Sequence, residues 1–119
     1  MQVNNVPSKE FSWGSVNYVY MSPYLTVKTL LFKKGGATSY HYHTKRQETL
    51  NVVSGTFKII TSEPTRDPNQ KKRKEIVVVP GNVITIYPGE PHQIVALEDG
   101  ILVEMCEEYS EYDTVRITI

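Results

Sequence analysis

The chain has 119 residues, enough for one ordinary domain with a single core. Lysine and arginine together number 13, as do aspartate and glutamate, and this balance excludes a general electrostatic attraction to nucleic acid or to an anionic membrane. The single cysteine, Cys106, excludes an intrachain disulfide and a thiolate zinc cluster, and we expect it to be a small buried apolar residue.

The start of the chain, MQVNNVPSKE, lacks the basic and apolar regions of a secretory signal. The longest aliphatic run, residues 76–79, is far shorter than the ~20 residues of a membrane helix. We therefore expect a cytoplasmic protein. Residues 1–22 predict an N-terminal strand or arm, and we expect it at a homodimer interface, because an exposed sheet edge needs covering.

From Tyr24 onward, short segments rich in β-branched and aromatic residues alternate with turn formers such as Gly35-Gly36, Ser54-Gly55 and Asp99-Gly100. No helical period is evident. The pattern predicts an all-β fold, an antiparallel sandwich or a small barrel. The predicted strands, in chain order, are YLTVKTLLF, ETLNVVSGTFKII (interrupted at Ser54-Gly55), KEIVVVP, NVITIYP, HQIVALE and GILVEMCEE.

Residues 35–55, GGATSYHYHTKRQETLNVVSG, carry the first candidate site. Because side chains alternate along a strand, His41 and His43 lie on one face and Tyr42 on the other. The polar stretch after them is suited to a tight turn, which would bring Glu48 back towards the imidazoles. The alternative for Glu48 is a solvated strand edge, paired with Lys45 or Arg46.

Residues 62–75 contain two prolines and a basic run at positions 71–74, and predict a hairpin loop between strands. A short run of charge is usually a solvated surface, and we favour that interpretation. The alternative is a grip on phosphate or on an acidic partner.

The third histidine, His92, follows the corner Pro88-Gly89-Glu90-Pro91, which fixes the backbone where a strand begins. With His41, His43 and Glu48 it makes a set of three nitrogens and one carboxylate. Such a set suits one divalent first-row metal, namely Fe, Mn, Ni, Co, Zn or Cu. Four protein ligands leave coordination positions open, so the predicted metal site is catalytic rather than structural.

Three further residues are candidates for catalysis. Glu104 alternates with Leu102 and Cys106 on the last strong strand, and is either a proton shuttle facing the interior or a solvent-facing carboxylate. Lys28 and Tyr42 are candidates for the lining of the site, although ordinary packing is the alternative for the tyrosine.

The histidine motifs resemble the two signatures of the cupin superfamily. Residues 35–55 fit the first signature without a mismatch: glycine, five residues, His-x-His, four residues, glutamate, six residues and glycine. GNVITIYPGEPHQIVA resembles the second, with departures at Tyr87 and Ala96. The resemblance implies a single-domain jelly-roll β-barrel, a double-stranded β-helix over residues 23–119. It also implies that His41, His43, Glu48 and His92 converge on one metal inside the barrel.

Three local features are similar to small cupins related to type II mannose-6-phosphate isomerases: Trp13-Gly14, the stretch VVSGTFKI, and EYDTVRI near the C-terminus. That group often has glutamine where His41 stands, and its spacing to the glutamate is one residue shorter. The likeness implies a metal-dependent isomerase or epimerase of a sugar or sugar phosphate.

Two other functions stay open for the same residues. The first is an iron-dependent dioxygenase, because open metal positions can also take oxygen. The second is a non-enzymatic module that binds a small ligand. In each case the partner is a small molecule, sugar-like in the favoured hypothesis, and neither nucleic acid nor membrane is expected.

Overall fold

The computed structural model describes residues 1–62, 72–107 and 113–117. Within these ranges it contains eleven strands and no α-helix, and therefore no helix that is long and apolar enough to cross a membrane. The strands are β1 (Ser8–Phe11), β2 (Gly14–Met21), β3 (Thr26–Phe32), β4 (His41–His43), β5 (Glu48–Ser54), β6 (Phe57–Ser62), β7 (Arg73–Val78), β8 (Val83–Ile86), β9 (His92–Ala96), β10 (Gly100–Cys106) and β11 (Thr114–Arg116).

The strands form two antiparallel sheets. The larger sheet has the order β1-β2-β3-β10-β5-β8, and the smaller has the order β11-β4-β9-β6-β7. Strands that are adjacent in a sheet are often distant in the chain, as in the pairs β3·β10 and β4·β11. This arrangement confirms the predicted all-β, single-domain jelly-roll architecture.

Strict alternation along the central strands directs one set of side chains into the space between the sheets. On β3, Thr26, Lys28, Leu30 and Phe32 are buried, while the residues between them are only half-buried. The largest of the fully enclosed side chains are Phe57, Leu50 and Leu102. Burial of such a side chain stabilises the fold by roughly 1.5–3 kcal/mol. Polar residues on the same inward faces therefore need a specific reason to be there.

The predicted strands from Tyr24 onward are confirmed, with ends that shift by at most two residues. The predicted loop at residues 62–75 is too long, because Ser62 ends β6 and Arg73 begins β7, where the two residues are paired. Lys74, a member of the basic run, therefore also lies on a strand rather than at a loop tip, and position 71 lies outside the described residues. The antiparallel ladder with β6 continues further along the chain than the turn formers indicate.

The N-terminal segment contributes two strands to the larger sheet. Strand β2 pairs with β3 along most of its length, and Val16 belongs to the buried core. Trp13 stacks on Phe32, with ring centroids 4.4 Å apart, and Phe11 stacks on the outer face of Trp13 at 5.0 Å. These rings extend the core outwards to the rim of the interior space.

Candidate metal centre

The three histidines come from neighbouring strands of the smaller sheet. His41 and His43 lie two residues apart on β4, and His92 opens β9, where it pairs directly with His41. Their rings are in mutual contact, with centroids 4.5–5.3 Å apart. One ring nitrogen from each side chain lies within 4.8 Å of the other two, which makes a group that could hold a metal ion.

Each histidine has its Nδ1 atom occupied by a neighbour. Nδ1 of His41 is 2.9 Å from the Ser39 carbonyl oxygen, and Nδ1 of His92 is 3.0 Å from the Glu90 carbonyl oxygen. Because a carbonyl can only accept, these two rings donate from Nδ1 and keep a lone pair on Nε2. Nδ1 of His43 lies 3.2 Å from the Thr114 hydroxyl. Partners on Nδ1 that fix the ring while Nε2 faces inward are typical of metal-binding histidines.

The protonation state also suits metal binding. Burial, with the neighbouring rings of His92 and His43, lowers the pKa of His41 to about 4. Burial and the nearby Arg46 guanidinium lower the pKa of His43 to about 4, and burial lowers the pKa of His92. The imidazoles are therefore neutral at pH 7, which is the form that binds a metal.

Glu48 faces the histidines from the larger sheet. It is the first residue of β5, and its Oε1 atom lies 2.8 Å from His43 Nε2. Its other carboxylate oxygen, Oε2, lies 3.6 Å from His92 Nε2. The buried Arg46 guanidinium contacts the same carboxylate, with Nε 2.9 Å from Oε1. The structure thus places Glu48 beside the histidines and also pairs it with Arg46.

A second carboxylate and a lysine lie beside Glu48 in the interior. Glu104 on β10 is directly opposite Lys28 on β3, and their charged ends are 3.9 Å apart with both side chains buried. Burial, together with the neighbouring Glu48 carboxylate, raises the pKa of Glu104 to about 7, while Lys28 acts in the opposite direction. The Glu104 side chain therefore faces the interior and not the solvent.

These groups line one cavity of about 660 Å³, a size typical of small-molecule sites. The polar part of the lining consists of the three histidines, Glu48, Arg46, Lys28 and Glu104. The apolar part includes Phe11, the last residue of β1, and Trp13, which directly precedes β2. The remaining lining residues are Lys9, Val16, Tyr18, Leu30, Thr38, Ser39, Ile94, Thr114 and Arg116.

Tyr42, the other catalytic candidate, lies on β4 between His41 and His43 and is half-buried. It is not among the described residues that line the cavity. Cys106 is buried, and burial with the nearby Glu104 raises the pKa of its thiol to about 11. The burial of Cys106 agrees with the prediction from sequence, and the raised pKa of the thiol lowers its reactivity.

Asp113 is a buried residue that holds the bend between β4 and β5; in the sequence it belongs only to the EYDTVRI likeness, which gives it no role. Its carboxylate accepts hydrogen bonds from the backbone N–H groups of Thr44, Lys45 and Arg46, and from the Thr44 hydroxyl. Although burial acts to raise the pKa of Asp113, these hydrogen bonds lower it overall. The partners lie 67 to 69 residues away in the chain, so no local pattern could reveal them.

Comparisons with known proteins identify the fold. No protein-family model and no curated protein sequence matches the chain. Solved structures do: an RmlC-like cupin from Shewanella frigidimarina aligns with 90% of this chain and 87% of its own, at a TM-score of 0.72 and 18% identity. This chain has the cupin fold.

Two longer proteins contain the same cupin fold. The capsular polysaccharide assembling protein CapF from Staphylococcus aureus aligns with 98% of this chain at a TM-score of 0.80 and 22% identity. A variant of oxalate decarboxylase from Bacillus subtilis aligns with 95% at a TM-score of 0.78 and 19% identity. The chain spans only 34% and 30% of the lengths of these two proteins.

The donor set at the centre of the cupin barrel suits a divalent transition metal. Three neutral imidazoles and one carboxylate are ligands that iron, manganese, nickel, cobalt and zinc all accept. The three-histidine group does not include Glu48, whose carboxylate oxygens lie 2.8 Å from His43 Nε2 and 3.6 Å from His92 Nε2. Which metal such a set takes is not decided by these ligand types alone.

Proposed function

We propose that this cupin binds one divalent transition metal through His41, His43, His92 and Glu48, and isomerises or epimerises a sugar or sugar phosphate. The observation that carries the metal proposal is that Nδ1 of every histidine is engaged, while the three rings converge beside Glu48. A bound divalent ion would act as a Lewis acid on the carbonyl oxygen of the sugar.

The buried pair Lys28 and Glu104 supports the isomerase assignment. Isomerisation moves a proton from one carbon to its neighbour, and so needs a group inside the cavity that accepts the proton and returns it. Glu104 is a carboxylate inside the cavity, and Lys28 supplies the positive charge that keeps it oriented. We propose Glu104 as the proton-transfer residue and Lys28 as its partner.

The rim of the cavity supports an anionic substrate. Glu48 and Glu104 are paired with Arg46 and Lys28, and two further cations, Lys9 and Arg116, are exposed at the lining. Lys9 comes from β1, and Arg116 comes from β11 opposite His41. Two exposed cations beside neutral histidines attract a negatively charged group, and a sugar phosphate carries one.

Elemental analysis tests the metal proposal. We expect near-stoichiometric metal in the wild type purified without a metal-affinity column, and loss of that metal in His43→Ala. Tyr42→Phe is the matched control, because it alters the same strand at a residue that does not line the cavity. Absence of metal from the wild type, even after reloading with Fe²⁺, Mn²⁺, Ni²⁺, Co²⁺ and Zn²⁺ in turn, would refute the metal site.

The reaction is tested by NMR in deuterated water with mannose 6-phosphate as the probe. Conversion to the ketose with incorporation of solvent deuterium supports isomerisation. Consumption of oxygen by an iron-loaded protein would instead favour the dioxygenase hypothesis. If the wild type does not convert the probe, and His43→Ala binds the probe as tightly as the wild type does, a non-enzymatic binding module would be favoured.

We further propose that the chain forms a homodimer through its N-terminal strands. Three consecutive residues at the end of β2, Val19, Tyr20 and Met21, and Tyr24 three positions further on, are 55–82% exposed. Exposed apolar groups that follow one another in this way are typical of protein interfaces.

A further inference from the structure

Arg46 is a buried cation at the centre of the proposed metal site. Only 7% of its surface is exposed, and its side chain returns from the bend between β4 and β5 into the cavity. One guanidinium nitrogen, Nε, lies 2.9 Å from Glu48 Oε1, and a terminal nitrogen lies 3.2 Å from His43 Nε2.

These contacts fall on the two atoms that a metal would use. The terminal guanidinium nitrogen of Arg46 lies beside His43 Nε2, the nitrogen whose lone pair a metal would take. Glu48 Oε1 is 2.8 Å from the same nitrogen, and Arg46 Nε donates a charge-assisted hydrogen bond to that oxygen at 2.9 Å. In this arrangement Arg46 supplies the positive charge between them.

A residue that supports a metal-binding histidine usually contacts the ring nitrogen that faces away from the metal, as the Thr114 hydroxyl does at His43 Nδ1. Arg46 instead contacts Nε2, the ring nitrogen that faces the proposed metal position. Its guanidinium fills space beside His43 Nε2 and Glu48 Oε1 that a metal ion bound to both atoms would need, and the two positive charges repel each other at short range.

We propose that Arg46 competes with the divalent metal for His43 and Glu48. This proposal rests on the metal site proposed above. Without metal, Arg46 holds Glu48 in place and compensates its buried charge. When metal binds, the guanidinium leaves His43 Nε2 and Glu48 Oε1, so metal affinity is reduced by the free energy of the contacts that are broken.

Titration calorimetry with Zn²⁺ on chelator-treated protein tests this competition. Loss of charge-assisted hydrogen bonds of this kind corresponds to about 10- to 100-fold in an equilibrium constant, so we expect Arg46→Gln to bind Zn²⁺ tighter by at least about tenfold. Lys45→Gln is the matched control, because it removes one positive charge from the same bend at an exposed residue, and its affinity should stay near that of the wild type.

The sign of the change distinguishes the possible outcomes. Equal or weaker Zn²⁺ binding by Arg46→Gln would overturn the competition and would make Arg46 a support of the ligands, with the metal site itself intact. An equal gain in both variants would also overturn it, because a general charge effect would then be the cause. Absence of Zn²⁺ binding in every variant would overturn both the metal site and the competition.

A measurement on the wild type covers the case in which Arg46→Gln does not fold. The Arg46 Nε–H group should give a distinct NMR signal that exchanges slowly with water while it is hydrogen-bonded to Glu48. Addition of Zn²⁺ should shift this signal and speed its exchange. If the histidine signals report Zn²⁺ binding while the Arg46 signal is unchanged, the two cations do not compete.

Discussion

Glu104 is the residue on which we place the proton transfer, with Lys28 as its partner, and a substitution of Glu104 tests this role. Glu104→Gln keeps the size of the side chain but removes its ability to accept a proton. We expect the rate of the isomerase reaction to fall by about 10²- to 10⁴-fold, the usual contribution of a general acid–base residue. Metal content measured on the same preparation should be unchanged, because Glu104 is not a proposed ligand.

Glu107→Gln is the control for this substitution, because Glu107 is an exposed carboxylate three residues further along the chain. Its rate should match that of the wild type. A Glu104→Gln protein that keeps both metal and full activity would remove Glu104 from the mechanism and leave the proton-transfer group to be found elsewhere in the cavity.

The sequence predicts single residues best where the reason for them is local. Alternation along a strand is enough to place His41 and His43 on one face, and the bend after them brings Glu48 to the same place. The pairing of Arg46 with Glu48 appears in the sequence only as an alternative to metal binding, whereas the structure contains both the pair and the histidine group. Spacing alone could not show that Arg46 contacts two of the proposed metal ligands.

At the scale of elements, the bend between β4 and β5 is held by a residue that lies nearly 70 positions later in the chain. Asp113, directly before β11, accepts three backbone N–H groups of this bend. Asp113→Asn keeps the shape but replaces one accepting oxygen with a donor. We expect the free energy of unfolding in urea at pH 7 to fall by about 1.5–3 kcal/mol, the range for hydrogen bonds to a charged group.

Asp99→Asn is the comparison for this prediction, because the Asp99 carboxylate accepts the backbone N–H of Lys34 at an exposed position. Its effect on unfolding should be clearly smaller. Equal losses in the two variants would mean that Asp113 does no more for the bend than an ordinary surface carboxylate.

The pH dependence of the Asp113 effect has a definite sign. Its pKa is lowered in the folded protein, so the carboxylate stabilises the fold at pH values above its unfolded pKa of about 3.9. That contribution is lost as the pH falls through the lowered folded value. The difference in unfolding free energy between wild type and Asp113→Asn should therefore be constant from pH 7 to about pH 5 and shrink at lower pH. A difference that grows on acidification would contradict the assignment.

Local sequence patterns predict some of the strands and not others. Predicted strands from Tyr24 onward are confirmed because their alternation and their turn residues agree. For the first two strands the sequence predicts only a strand or arm. All of β1 is exposed, and so are the last three residues of β2. β2 is positioned by its pairing with β3. Such pairing depends on the neighbouring strand and is not visible in the sequence of β2 alone.

At the scale of the whole molecule, the site belongs to neither sheet alone. The smaller sheet supplies the three histidines, while the larger sheet supplies Glu48, Lys28 and Glu104. Their convergence therefore follows from how the two sheets face each other. The sequence alone predicts two sheets or a small barrel, and the resemblance to cupin signatures supplied the arrangement that brings the halves together.

The proposed homodimer is the last property that belongs to the whole molecule. Light scattering at micromolar concentration should give twice the chain mass of 13.6 kDa. Val19→Lys places a charge in the exposed apolar stretch of β2 and should shift the mass towards one chain, because a buried unpaired charge is costly at an interface. Val77→Lys is matched in exposure, at 60% against 57%, but lies on β7 at the edge of the other sheet, and it should leave the dimer intact. A wild-type mass of one chain would refute the dimer, and dissociation by Val77→Lys alone would move its interface to the β7 edge.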